Sequence, residues 1–223
     1  MTSLTFLSPL SNPVFIRNLA VIGTFFVLVG SSLAAFVYRG KMGERYSPMN
    51  HFISELGERG VSRAAAAFNI GLILCGLCLL PAIIGLGLQL DSLFGWLGTA
   101  AGLVAGISLI LVGCFPMDAL TPHIRAAVTY FRSGLLMVLF FTVGMVMQPA
   151  GTARLNPLLG LAGVPAVLAF GFFLVYSRVS MKAKDSALAP LEGDRPRLWG
   201  LAIAEWLIFL TTIPWLLAIG LGG

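Results

Sequence analysis

Charged residues are scarce in this chain of 223 residues, of which only 10% are Asp, Glu, Lys or Arg. Hydrophobic residues make up 58% of the sequence, and the mean hydropathy is +0.94. Such a composition leaves too little polar surface to cover a water-soluble particle of 23.7 kDa. It therefore excludes a soluble globular protein and predicts an integral membrane protein.

Cysteine is also rare, with three residues in the chain. Cys75 and Cys78 have the CxxC spacing, but no second pair completes a zinc-finger pattern or a disulfide framework. We interpret them, with Cys114, as small thiols in or beside apolar stretches. The net charge of +5 does not indicate nucleic acid, because the basic residues lie in loops beside apolar segments. We expect no nucleic-acid partner.

Long apolar segments are abundant, and a spanning helix needs about 20 apolar residues. The first segment is longer than the apolar part of a signal peptide, so we expect it to be retained. We see no internal repeat or second domain, and predict an all-α fold, one six-helix transmembrane domain over residues 1–223. The predicted spans are Phe15–Val37, Ala64–Leu88, Gly95–Phe115, Ala126–Met147, Pro157–Tyr176 and Leu198–Ile219.

Lys and Arg are unevenly distributed between the two sides of the predicted bundle. Cytoplasmic loops carry an excess of these residues, and here they concentrate in the loops after the first and fifth helices. The termini and the even-numbered loops hold only Arg17 and Arg154. We therefore expect both termini outside and the odd-numbered loops in the cytoplasm, with residues 182–197 forming a solvated loop.

The first loop contains the most polar part of the chain, Tyr46–Gly60. Ser47 can cap a short helix with Pro48 at its first position, and Gly57 can end it. This segment is too short to span a bilayer. We predict a short amphipathic helix at the cytoplasmic interface.

On such a helix one face would carry polar chemistry. His51, Ser54 and Glu55 are spaced at i, i+3 and i+4 and share a face, while Phe52 and Leu56 mark another. The first loop would therefore place an imidazole beside a hydroxyl and a carboxylate.

Asp118 and His123, in the third loop and the start of the fourth helix, are expected in the same layer as His51. Two histidines near carboxylates could bind a metal or relay protons. In the alternative interpretation, they are interfacial residues hydrogen-bonded to loop backbone.

Three further polar residues lie deeper in the predicted helices. Arg132 is about 15 Å along the fourth helix from Pro122, and Asn69 and Glu205 enter from the same side. Ionisable groups at such depth are costly unless they pair or face a hydrated cavity. We predict that Arg132 and Glu205 pair, although a pair that only fixes helix packing remains an alternative.

These residues together predict a polar cavity open to one side of the membrane. Charge at headgroup depth with apolar walls below suits an amphiphile, so a membrane lipid is the expected ligand. The candidate catalytic residues are His51, Glu55, Asp118 and His123. The candidate ligand-binding residues are Ser54, Asn69, Arg125, Arg132 and Glu205.

The stretches FISELGERGVSRAAAAFNIGLILCG and FPMDALTPHIRAA resemble the bacterial and archaeal membrane proteins grouped as domain-of-unknown-function family 998. The chain is more distantly similar to the eukaryotic damage-regulated autophagy modulators and the GPI-anchor remodelling protein. The resemblance implies a six-helix bundle in a prokaryotic cell membrane and a link to lipid handling, and it supplies no activity. The residues that carry it are Ile53, Ser54, Glu55, Gly57, Phe68, Phe115 and His123.

Four functions remain open at this level. The first is a hydrolase or acyl transferase in which His51 or His123 is the general base. Glu55 or Asp118 would orient that base or bind a metal, and Arg132 would hold phosphate or carboxylate. The others are a non-enzymatic lipid-binding or regulatory protein, a transporter, and a b-haem protein with two histidine ligands. The sequence names no metal, cofactor or oligomeric state.

Overall fold

The architecture is described from a computed structural model, which covers residues 9–149, 151, 153–182, 188, 191 and 195–221. Within these residues the secondary structure consists of helices, without strands. The α-helices are α1 (Pro13–Val37), α2 (Ala65–Leu90), α3 (Leu93–Cys114), α4 (Leu120–Val146), α5 (Pro157–Gly160), α6 (Val164–Lys182) and α7 (Gly200–Leu221).

Six helical segments of the described chain are long and apolar enough to cross a membrane, which confirms the predicted all-α bundle. The short helix α5 continues through a 3₁₀ turn into α6, so Pro157–Lys182 counts as one span. Two helices extend six residues beyond the predicted apolar spans: α4 begins at Leu120, close to the start that Thr121 and Pro122 indicate, and α6 ends at Lys182 instead of Tyr176. Pro122 is accommodated there because backbone N–H groups in the first turn of a helix have no intrahelical acceptor.

The helices pack in sequence, α1 on α2, α2 on α3 and α3 on α4, while α7 contacts both α1 and α6. Glycine allows a close approach where α1 crosses α2. A Cβ atom at Gly30 would lie 2.5 Å from the carbonyl oxygen of Ala67, and one at Gly71 would lie 2.7 Å from that of Phe26. The first two helices are therefore held at backbone contact along their length.

One end of the bundle holds most of the polar chemistry, and we call it the polar end. The first and third loops meet there, since a 3₁₀-helix over Ile53–Gly57 contacts α1, α2 and α7 and also the turn Met117–Ala119. The short helix that the sequence predicts between Ser47 and Gly57 is thus a 3₁₀-helix over Ile53–Gly57 only. The predicted solvated loop lies partly outside the described residues, namely at residues 183–187, 189–190 and 192–194.

Candidate functional site

The 3₁₀-helix of the first loop is buried, with every residue from His51 to Gly57 covered by other parts of the protein. A turn precedes it, in which the Ser47 carbonyl accepts from the amides of Asn50 and His51. The segment therefore has no solvent-facing side of the kind that an amphipathic surface helix would show. Its burial requires every polar group on it to find a partner.

Three polar side chains supply those partners. Glu55 accepts a hydrogen bond from the amide of Phe52 at 2.8 Å, and Glu205 accepts one from the amide of Ile53 at 2.8 Å. At the other end, the Asn69 side-chain amide donates to the Gly57 carbonyl at 2.9 Å. Asn69 and Glu205, predicted as the floor of a cavity, thus also position this helix.

Glu55 pairs with Arg195, although the sequence predicts that Arg195 lies in a solvated loop. The two guanidinium nitrogens of Arg195 donate to the two carboxylate oxygens at 2.9 and 2.7 Å. Glu55 is fully buried, and the Arg195 side chain is 15% exposed. Arg195 also donates to the Asn50 carbonyl at 3.2 Å, so the assignment of this residue to a solvated loop was wrong.

His51 lies in an aromatic cage formed by Tyr38 and Tyr46, whose ring centroids are 5.4 and 5.2 Å from its own. The Ser47 amide donates to its Nδ1 at 3.3 Å, and its Nε2 is 3.7 Å from Glu44. Burial lowers the pKa of His51, partly offset by nearby carboxylates. Burial and the carboxylate of Glu55 raise the pKa of the Tyr38 hydroxyl, so this group also stays neutral.

Asp118 forms a separate ion pair with Arg59, whose Nη2 is 2.7 Å from the carboxylate. It does not join the cluster around His51. Within the described part of the chain no three His, Cys, Asp or Glu side chains are grouped to hold a metal. The predicted catalytic set of His51, Glu55, Asp118 and His123 is therefore divided among different surroundings.

Two cavities meet at the polar end, and they share a wall. The inner cavity, of about 100 Å³, lies among α1, α2, α3, α4 and α7. The outer cavity, of about 610 Å³, lies beside α4, α6 and α7. The residues lining both are Ser54, His123, Ala127, Phe131 and Glu205.

His123 is the histidine that reaches these cavities. Its Nδ1 lies 2.8 Å from the carbonyl oxygen of Phe115. Because a carbonyl only accepts, Nδ1 must carry the proton, and the neutral ring keeps an acceptor lone pair on Nε2. His51 lines neither cavity. Ligation of a haem by two histidines requires both rings to face one cavity, and His51 and His123 do not.

Arg132 and Arg178 line the outer cavity and are exposed. Among the residues described, neither guanidinium has an ion pair. The predicted pair between Arg132 and Glu205 is not formed, since the Glu205 carboxylate turns to the Ile53 amide instead. Arg125 is also exposed, but it lines neither cavity.

Four residues of the site are not predicted from the sequence, namely Tyr38, Tyr46, Arg178 and Arg195. A signal for Arg195 existed, because a buried carboxylate such as Glu55 needs a cation and the fifth loop is rich in Arg and Lys. The identity of that cation depends on the loop conformation.

The fold and these cavities define a class, the six-helix integral membrane protein with a polar end. The family described as "Protein of unknown function (DUF998)" matches residues 21–222, and the chain belongs to this family. No curated protein matches the chain, and no solved structure matches it either. The family assignment confirms the resemblance seen in the sequence, while the link to the eukaryotic autophagy modulators remains an expectation.

Proposed function

We propose that this protein binds an anionic membrane lipid, with a phosphate or carboxylate headgroup, in the outer cavity. The observation that carries the proposal is Arg132. It is exposed to the outer cavity and has no ion pair among the described residues. A guanidinium does not lose its proton in proteins, so its charge must be met by water or by an anion.

The position of Arg132 makes this requirement strong. The helix α4 has 27 residues, and at 1.5 Å per residue Arg132 lies about 18 Å from its start at Leu120. The hydrocarbon layer of a bilayer is about 30 Å thick. The apolar run of α4 begins at Ala126, so the backbone of Arg132 lies about 9 Å inside it. An unpaired charge at that depth outside a cavity would be costly.

The walls of the outer cavity suit the rest of such a ligand. Most of its lining is apolar and comes from α4 and α6, with Leu120, Ile124, Phe131, Phe173 and Leu174 among the contributing side chains. Its volume of about 610 Å³ lies within the usual range of ligand pockets, about 300–1,000 Å³. An acyl chain can lie along these walls with an anionic group at the arginines.

A second cation lies on the way from the polar end to Arg132. Arg178 is four residues before the end of α6 at Lys182, or about one helical turn. It lines the same cavity and is exposed. Two guanidiniums at different depths favour an anionic ligand over a neutral one.

Lipid hydrolysis or acyl transfer is the second candidate function, and one observation favours it. The Nε2 atom of His123 is a proton acceptor on a residue that lines the same cavity walls as Ser54 and Glu205. Ser54 is not in a Gly-x-Ser-x-Gly turn, and its hydroxyl contacts the Met117 sulfur at 3.2 Å. His123 as a base for an activated water is therefore the simpler chemistry.

The binding proposal is tested by lipid content. Protein carrying Arg132→Gln, purified in a mild detergent, should retain less anionic lipid by mass spectrometry. The affinity of the outer cavity should fall about tenfold, since charge-assisted hydrogen bonds contribute about 1.5–3 kcal/mol. Arg125→Gln removes the same charge from the same helix and should leave the lipid content unchanged. Equal lipid content in the two variants would contradict the proposal.

The enzymatic candidate needs a separate measurement. Wild-type protein and His123→Gln are incubated with vesicles of mixed phospholipids, and released fatty acid and lysolipid are measured by mass spectrometry. Release by the wild type that the variant lacks, with bound lipid retained in both, supports hydrolysis with His123 as base. Bound lipid without release by the wild type leaves binding as the function.

A further inference from the structure

A third cavity, of about 490 Å³, shares no lining residue with the outer cavity. Three arginines line it, Arg39, Arg45 and Arg63, together with Tyr46 and the last turn of α1. We call it the arginine pocket. No carboxylate is among the described residues that line it.

The carboxylates nearest in the first loop are engaged elsewhere. Glu58 pairs with Lys41 at 3.1 Å. Glu44 accepts a hydrogen bond from the Met42 amide at 2.9 Å and faces Arg195 at 3.9 Å and His51 at 3.7 Å. Within the described part of the chain, none of the three guanidiniums forms an ion pair with a carboxylate. Arg39 donates a hydrogen bond to the Tyr38 carbonyl, which carries no charge.

The arginine pocket is placed where two membrane-spanning helices end. Arg39 follows the last residue of α1, Val37, by two positions, and Arg63 precedes the first residue of α2, Ala65, by two. Phe36, in the last turn of α1, is 87% exposed and lines the pocket. A cationic cluster with an exposed aromatic ring at the ends of spanning helices matches the headgroup region of a bilayer.

We propose that the arginine pocket is a binding site for a phosphate group, supplied by an anionic phospholipid whose acyl chains run along α1 past Phe36. The planar fork of a guanidinium matches phosphate oxygens with two parallel hydrogen bonds. Three such groups around one cavity can contact the anionic oxygens from several sides. The half-buried ring of Tyr46 forms the wall of the site on the side of the first loop.

The arginine pocket is independent of the lipid proposed for the outer cavity.

Tyr46 connects the arginine pocket to the first loop and to α7. Its hydroxyl donates to the Phe52 carbonyl at 2.9 Å and accepts from the Trp206 indole at 2.9 Å. A phosphate held there would therefore brace the first loop against α7. Bound anionic lipid should raise the thermal stability of the protein, since a ligand that binds only the folded state stabilises it.

The test uses the full chain in dodecyl maltoside and follows the thermal midpoint while one of three probes is added. The probes are dihexanoyl phosphatidylglycerol, dihexanoyl phosphatidylcholine and glycerol 3-phosphate. Phosphatidylglycerol should raise the midpoint, and phosphatidylcholine, which has no net charge, should raise it much less. A rise with glycerol 3-phosphate equal to that with phosphatidylglycerol would also support the site, and would identify a soluble phosphate ester as its source.

The variant Arg39→Gln/Arg45→Gln/Arg63→Gln assigns the effect to the pocket. Each arginine near a membrane surface contributes about a fivefold change in affinity for anionic lipid, so the triple variant should bind about a hundredfold more weakly. The control Arg17→Gln/Arg125→Gln/Arg197→Gln removes three exposed arginines outside the pocket, an equal charge. A second control, Arg132→Gln/Arg178→Gln, removes the cations of the outer cavity.

Both controls should keep a tight-binding phase that the triple variant loses. An unchanged titration of the triple variant, or an equal loss in the first control, would overturn the proposal.

If the triple variant does not fold, the single variants Arg45→Gln and Arg63→Gln replace it, since both side chains are exposed. Each should weaken binding about fivefold, and unchanged affinity in both would overturn the proposal as well. The triple variant removes only the arginine pocket, and the second control removes only the outer-cavity arginines. The two titrations therefore test the two proposed lipid sites separately.

Discussion

Arg195 and Glu55 are 140 positions apart in the chain, yet they form two parallel hydrogen bonds of 2.9 and 2.7 Å at the polar end. The Glu55 carboxylate also holds the Phe52 amide. Close by, the Trp199 amide donates to the Met49 carbonyl at 2.8 Å. The segment before α7 is thereby fastened to the first loop, and the pair connects the two most strongly basic loops of the protein.

Breaking this pair should destabilise the protein strongly. Glu55→Gln or Arg195→Gln leaves one buried group without its charge partner, at a cost of about 3–5 kcal/mol. The double variant should recover part of this loss, because neither charge is then stranded. Thermal or denaturant unfolding in detergent measures the cycle, and losses that simply add would show that the two side chains do not interact.

Stability should fall in acid partly because of His51. Its pKa in the folded protein is lowered from 6.5 by burial, so between the two values the unfolded chain binds more protons. The contribution is complete above about pH 6.5 and is lost as pH falls through the folded-state pKa. His51→Gln should flatten the loss of thermal midpoint between about pH 7 and pH 5. Parallel wild-type and variant curves would contradict this assignment.

Gly57 should not tolerate a side chain. A Cβ atom there would overlap the Asn69 side-chain oxygen and lie 2.9 Å from the Phe68 ring. Gly57→Ala should therefore lower stability by about 1–3 kcal/mol, the usual cost of overpacking. Gly171→Ala is the matched control, since a Cβ atom at Gly171 meets nothing within 4 Å, and alanine there should be neutral or slightly stabilising. Similar losses in both would refute the proposed contact.

The orientation predicted from the charge distribution can be measured by cysteine labelling in a background without the native cysteines. Met42→Cys, in the first loop, should react with a membrane-impermeant thiol reagent only after the membrane is opened. Arg154→Cys, in the loop on the opposite side, should react in intact cells. Both positions are exposed. Reversed labelling would place the polar end outside the cell.

The number and approximate position of the spanning helices followed from the sequence, because a helix that crosses a bilayer must present about 20 apolar residues in a row. This constraint is local, so both ends could be placed within two residues for four of the six spans. The remaining two helices continue past their apolar runs at the polar end. There α4 begins at Leu120, near the start that Thr121 and Pro122 indicate, and α6 ends at Lys182. Hydropathy marks only the part of a helix that lies in lipid.

The chemistry-bearing residues were also visible in the sequence, since His, Glu and Asn are conspicuous against an apolar background. Their partners were not. Arg132 and Glu205 were expected to pair because both lie at depth, but the amide of Ile53 takes the Glu205 carboxylate. A residue's depth depends on its own helix, whereas its partner depends on how the loops fold between helices.

The sequence by itself determined that this protein lies in a lipid bilayer, how many helices span it and that polar residues concentrate at one end. Each of these properties follows from hydropathy along a single segment. The tertiary structure decided that Arg195 neutralises Glu55 and that His51 and His123 face different surroundings. It also decided that Arg132 lines the outer cavity without an ion pair among the described residues. These outcomes depend on distances between segments far apart in the chain. They also depend on burial, which favours a hydrogen-bond partner of suitable geometry for a buried polar group.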